Sequence, residues 1–153
     1  MQVFETYSEE ETRGLGKRLG EEAAPGSVYA LIGDLGTGKT VSAKGMALGL
    51  GIAAPIVSPT FLILREYRDE GRMPFFHFDI YRLEDEDELF AIGWEEYMNG
   101  NGVCLVELAD LVPEAMPEET VWIRVTKDLA KGPDYRRIVL GEKNEILEGD
   151  LYR

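Results

Sequence analysis

Residues 27–50 read SVYALIGDLGTGKTVSAKGMALGL. At their centre, Gly33-Asp34-Leu35-Gly36-Thr37-Gly38-Lys39-Thr40 has the spacing G-x-x-x-x-G-K-[ST] of a phosphate-binding loop, the Walker A pattern. The apolar run 27–32 before it predicts a buried strand, and 41–50 after it predict a helix. Strand, loop and helix in that order are the context the pattern needs. They predict an α/β fold: a three-layer P-loop sandwich on a mixed, mostly parallel sheet, with a C-terminal antiparallel hairpin or edge.

The loop's chemistry follows from its residues. Gly33, Gly36 and Gly38 lack Cβ atoms, so the backbone can come close to a ligand. Successive amide groups, Thr37 among them, then form an anion cradle, and the following helix adds its positive end. Lys39 reaches the β and γ phosphates as a point charge. The Thr40 hydroxyl suits Mg²⁺, which takes a few oxygen ligands together with water and phosphate.

Working outward, 153 residues predict a single domain, 1–153, with its own core. No apolar run reaches the roughly 20 residues of a membrane span, and residues 1–11 lack the basic and apolar regions of a secretion signal. The single cysteine, Cys104, cannot form an internal disulfide; it lies in an apolar run and reads as packing, and a cytoplasmic location is expected. Net charge is −13, from 29 acidic and 16 basic residues. Such a balance repels free nucleic acid, whose binding rests on Lys and Arg, and favours a basic protein surface as partner.

Residues 2–6 read as a short strand, and Ser8-Glu9-Glu10-Glu11 as a capping box opening a helix with Leu15, Leu19 and Ala23 on one face. Pro25-Gly26 ends it. Strands are expected within 57–68 after Pro59, at 75–81 and at 103–106, with short helices at 84–91 and 94–98 around Gly93. Residues 120–126 and 135–140 alternate like an antiparallel pair. The acidic run 84–88 sits where a helix begins and suits its dipole.

A phosphate-binding loop works with an acid at the end of a second strand, which holds Mg²⁺ or its water. Glu107 ends the apolar run VCLVE, and Asp79 ends FHFD; both are candidates. Strand alternation puts Asp79 on the same face as His77, the only histidine, which reads as a structural residue bonded to a neighbour. Thr60, in Ser58-Pro59-Thr60-Phe61, is a candidate γ-phosphate or Mg²⁺ sensor. An [NT]-K-x-D guanine signature is absent, since Thr126-Lys127-Asp128 carries its acid one place early. ATP is therefore expected rather than GTP.

In order and spacing these segments resemble the TsaE (YjeE) family, small ATPases of bacterial tRNA threonylcarbamoyladenosine synthesis. The matching stretches are GDLGTGKT (33–40), SPTF (58–61), HFDIYRL (77–83), DELFAIGWEEY (87–97) and VCLVE (103–107). The phosphate loop is shared by very many proteins; SPTF followed by HFDIYRL is far more specific. The resemblance implies a Mg²⁺-dependent ATPase, slow alone, that works with the TsaD and TsaB proteins without itself transferring the threonylcarbamoyl group. It implies that Lys39 and the loop amides bind phosphate, that Thr40 and Glu107 hold the metal, and that Asp79 and Thr60 stand beside it. Ser8 and Glu9 would approach the adenine, with Lys131 and Gly132 closing the other side.

Two positions depart from that pattern. Val41 replaces a frequent second threonine after the loop, next to the phosphates, and Leu108 replaces a frequent tryptophan after the strand-end Glu. Two other functions remain in view: a small kinase, with Arg65, Arg68 or Arg72 as lid residues, and a nucleotide-dependent binding switch that never hydrolyses.

Overall fold

The computed structural model describes residues 1–33, 39–53, 56, 63–81 and 83–148, and of residues 39 and 40 only the backbone. The elements run β1 (Gln2–Thr6), α1 (Glu9–Glu22), β2 (Val28–Gly33), α2 (Lys39–Gly49), β3 (Leu64–Tyr67), β4 (Phe75–Asp79), α3 (Asp87–Ala91), α4 (Trp94–Met98), β5 (Val103–Glu107), β6 (Val121–Thr126), β7 (Arg136–Gly141) and α5 (Lys143–Leu147). Short 3-10 turns cover Ala109–Leu111, Pro113–Ala115 and Leu129–Lys131.

One seven-stranded sheet orders them β1-β7-β6-β2-β5-β4-β3. The central strands β6, β2, β5 and β4 are parallel, and β3, β7 and β1 add antiparallel pairs at the flanks. The expected antiparallel pairing of β6 with β7 is present, but β7 is internal and the sheet edge belongs to β1. Helix α5 went unforeseen: it is one short turn and a half, held by a Glu142–Glu145 capping box and by Arg124, which donates to the Ile146 carbonyl at 3.1 Å.

Alternation along the strands builds two cores. Tyr29, Leu31, Leu105, Ile123 and Val125 face α1 and α2. Val28, Ala30, Ile32, Phe78, Cys104 and Val106 face α3, α4 and α5. Trp94 seals that second side by donating its indole N–H to the Ala115 carbonyl. Burial pushes the Cys104 thiol up to about 12. Thiol reagents at pH 8 are therefore expected to leave native Cys104 unlabelled and to react only on unfolding, which mass spectrometry before and after denaturant will read.

Helices α1 and α2 touch through backbone. A Cβ on Gly16 would lie 2.6 Å from the Ser42 carbonyl oxygen. On Gly20, Gly45 or Gly49 it would run still deeper into Met46, Arg13 or Lys17. The expected apolar face of α1 is real, with Leu15 and Ala23 buried and Leu19 partly so, but Gly16 and Gly20 set its distance from α2. The far end of α1 is closed by Arg72, whose guanidinium donates to the carbonyls of Gly20 (2.6 Å), Glu21 (3.3 Å) and Ala23 (3.4 Å). Arg72→Ala is expected to lower unfolding free energy by about 1 kcal/mol, measured by urea titration.

The acidic run 84–88 stands mostly ahead of its helix. Helix α3 begins only at Asp87, and Asp85 accepts the Asp87 amide in a local turn at 2.8 Å.

Candidate functional site

Parallel strands present their C-terminal ends on one edge, where open α/β sheets bind ligands. The register defines that edge: Gly33 stands beside Val125, Leu31 beside Glu107, and Glu107 beside Asp79. Helix α2 starts there at Lys39. Gly33 has φ +147, and a Cβ at this position would collide with the Val125 carbonyl, so the loop must leave β2 through a glycine. Gly36, Thr37, Gly38 and Thr60 lie outside the described residues, as do the side chains of Lys39 and Thr40. The Ile63 carbonyl accepts the Asp79 amide at 2.8 Å.

Glu107 is 4% exposed, an unusual burial for a carboxylate. Its Oε2 lies 2.5 Å from Nε2 of His77, which is fully buried. Because Glu107 pairs with Asp79 and His77 with Leu105, all four share the face that looks toward α2. The expectation that His77 is bonded to a neighbour holds; the neighbour is Glu107, which alternation within β4 could not reveal. Asp79 is half-buried, and its Oδ1 accepts the Tyr81 amide at 3.2 Å, as strand-end carboxylates often do.

Leu108, immediately after Glu107, takes φ +59, the one positive φ outside glycine among the described residues. Its amide still donates across to the Leu31 carbonyl of β2 at 2.9 Å, and the left-handed backbone then turns the chain into the 3-10 segment Ala109–Leu111. Such a left-handed position costs about 1–2 kcal/mol for a residue with a Cβ, and strain of this kind gathers at functional sites.

A second group of side chains lies further along the same edge, at the ends of β1 and β6. Ser8 caps α1, its Oγ accepting the Glu11 amide at 3.1 Å, while Glu11 reaches back to the Tyr7 amide at 2.7 Å. The expected capping box is thus shifted by one residue on its return bond. Glu9 is exposed in the first turn. Across from it, Glu5 accepts from Tyr135 (2.6 Å) and Lys131 (3.3 Å), Lys131 lies 4.9 Å over the Tyr135 ring, and Tyr7 packs 5.3 Å from the same ring. Tyr135 and then Lys131 hold the Glu5 carboxyl below its usual range, and Glu5 raises Lys131. The pairing is therefore lost as pH falls through the lowered Glu5 value, and again as pH rises through the raised Lys131 value. Ser8, Glu9 and Lys131 thus border one rim, joined by Tyr7, Glu5 and Tyr135, which carry no motif that marks them in the sequence.

Val41 is half-buried on the first turn of α2. Of the candidate lid residues, Arg72 is committed to the opposite end of α1, and Arg68 pairs with Glu66 at 2.6 Å and lies over the Phe76 ring on the far face of the sheet. Arg65 is exposed on β3 opposite His77.

The donor set suits Mg²⁺, which takes one or two carboxylates and keeps its waters and phosphates. Two carboxylates on neighbouring strand ends meet that need. Among the described residues no group of three or more His, Cys, Asp or Glu forms an all-protein cage.

Sheet order, glycine exit from β2 and paired strand-end acids define a P-loop α/β protein. Residues 6–138 match the family described as "Threonylcarbamoyl adenosine biosynthesis protein TsaE". The chain is 44% identical over 153 residues to the tRNA threonylcarbamoyladenosine biosynthesis protein TsaE of Bacillus subtilis, covering 98% of this chain and 93% of that one. Against the same-named protein of Treponema pallidum it is 43% identical over 116 residues, covering 76% of this chain and 84% of the other. The crystal structure of Bacillus subtilis YdiB superposes with a TM-score of 0.77 at 38% identity, over 94% of this chain and 87% of that one. The chain belongs to the TsaE family of tRNA threonylcarbamoyladenosine biosynthesis proteins. The match reaches well past residue 107, where the resemblance read from motifs had become loose.

Proposed function

We propose that this chain binds ATP with Mg²⁺ at the C-terminal edge of its sheet. It hydrolyses ATP in support of tRNA threonylcarbamoyladenosine formation, acting on or with TsaD and TsaB and leaving the threonylcarbamoyl transfer to them. The observation that carries the reading is the pairing of Asp79 with Glu107 on adjacent parallel strands, beside the Gly33 exit and the start of α2. In this reading Lys39 and the amides of Gly33, Gly36, Thr37 and Gly38 hold the phosphates. Thr40, Glu107 and Asp79 hold Mg²⁺, and Thr60 stands near the γ-phosphate. A bound metal there supplies neutralising charge to the phosphate oxygens. Ser8, Glu9 and Lys131 border the base, and Val41 backs the loop from α2.

Family membership supports the pathway, and the carboxylate pair supports the metal. The kinase alternative loses two of its three lid candidates, with Arg72 tied to α1 and Arg68 paired with Glu66. A net charge of −13 favours a basic partner surface over tRNA, and a single cysteine suits a reducing cytoplasm. The test is ATP turnover by the isolated chain and after addition of TsaD and TsaB. Slow hydrolysis that accelerates with the pair supports the reading; an unchanged rate and no association contradict it. Nucleotide binding without any turnover would favour the switch, and a phosphorylated metabolite the kinase. Tight, salt-sensitive binding of tRNA to the isolated chain would contradict the partner assignment.

A further inference from the structure

We propose that His77 is a positioning residue for Glu107: it fixes the orientation in which that carboxylate meets the metal-bearing nucleotide. The inference rests on the Mg²⁺–nucleotide reading above and adds a residue to it.

The pair is built for one geometry. A carboxylate can only accept, so the short contact requires His77 to donate its Nε2–H to Oε2 of Glu107, which sets the ring's tautomer at that atom. The ring cannot swing away. Strand β4 is hydrogen-bonded on both sides, to β3 and to β5, and the imidazole stacks on Phe75 with centroids 6.1 Å apart. Oε2 is therefore claimed by histidine, and Oε1 is the oxygen Glu107 can offer elsewhere.

Stability alone does not account for the pair. The same layer is otherwise filled by apolar groups such as Leu31, Leu105, Phe75 and Ile123. Replacing a buried polar pair by apolar residues of similar volume is commonly neutral or stabilising. Nδ1 of His77 is buried and makes no hydrogen bond to any described residue, so among them the ring is anchored through Nε2 to Glu107. A carboxylate held by a second, protein-side hydrogen bond is the usual arrangement of a metal-ligating group, and it orients the ligand. Asp79, on the same face two residues on, takes its local bond from the Tyr81 amide, so the histidine serves Glu107.

The test compares His77→Gln, whose amide nitrogen can take the place of Nε2, with His77→Asn, whose shorter amide falls at the Nδ1 position. Mn²⁺ affinity of the protein–ADP complex is read by electron paramagnetic resonance. ADP affinity is measured in EDTA, and kcat and KM in Mg²⁺. His77→Asn is expected to weaken Mn²⁺ binding and lower kcat by roughly 10–100-fold, with metal-free ADP affinity unchanged. His77→Gln is expected to recover most of both. Equal behaviour of the two variants, or a parallel loss of metal-free ADP binding, overturns the positioning role. If the wild type binds nucleotide without any metal dependence, the Mg²⁺ reading falls and this role with it. If the wild type is metal-dependent and both variants match it, the role of His77 alone falls.

Discussion

Glu107→Gln is expected to leave a folded protein that still binds nucleotide but hydrolyses it at least about 100-fold more slowly, the scale of losing one charged group from a preorganised site. The amide is nearly the same size as the carboxylate, and its oxygen can still accept from His77 Nε2. What disappears is a negative charge that is 4% exposed, at the strand end beside Gly33 and Asp79. A charge so buried opposes folding, so its removal should hold or raise the melting temperature. Activity and stability should therefore move apart: kcat in saturating Mg²⁺ and ATP falls, while Tm stays level or climbs. A full hydrolysis rate would remove Glu107 from the site. A fall in Tm alongside the lost rate would make it a structural residue.

Gly20→Val is expected to cause a large loss of stability, as would a side chain at Gly45 or Gly49. The new Cβ would meet the Met46 carbonyl and Gly49 Cα of α2, both backbone, which no rotamer change can relieve. The helices must part, and overpacking of this kind costs about 3 kcal/mol or more, at the upper end of its usual range. For a domain of this size that is a Tm drop of roughly 10 °C. Gly14 supplies the control within the same helix, because a Cβ there meets nothing within 4 Å. Gly14→Ala is expected to raise stability by about 0.5–1 kcal/mol, since glycine within a helix is costlier than alanine. Since α2 opens directly after the phosphate loop, parting it from α1 should also weaken nucleotide binding. Equal, small effects at the two glycines, measured by thermal unfolding, would contradict the backbone packing.

Much of this architecture is legible in the residues. Apolar residues 27–32 and the VCLVE run announce β2 and β5, because strands buried on both faces read as unbroken apolar stretches. Glu107 and Asp79 stand out as acids at the ends of such runs. Their alignment across β4 and β5 was not legible, since register between strands distant in sequence is fixed by packing rather than by either segment. The His77–Glu107 bond follows from that register and was hidden with it. Gly16 and Gly20 disfavour a helix taken by itself, and only the approach of α2 explains them. The order of the flanks escaped for the same reason: β1 at the edge and β7 inside rest on pairing between the two chain ends, and α5 rests on packing over β6 and β7. Leu108 read only as a missing tryptophan, whereas its strained backbone belongs to the turn that follows Glu107.

Everything proposed for this chain depends on a Mg²⁺-assisted ATP site at residues 33–40. Its most direct measurement is calorimetric titration of the isolated chain, and of Lys39→Ala, with ATP in the presence and absence of Mg²⁺. A single site is expected on the wild type, tightened by Mg²⁺ and preferring ATP to GTP, and lost in Lys39→Ala. Absence of ATP binding by the folded wild type, or undiminished binding by Lys39→Ala, would contradict it.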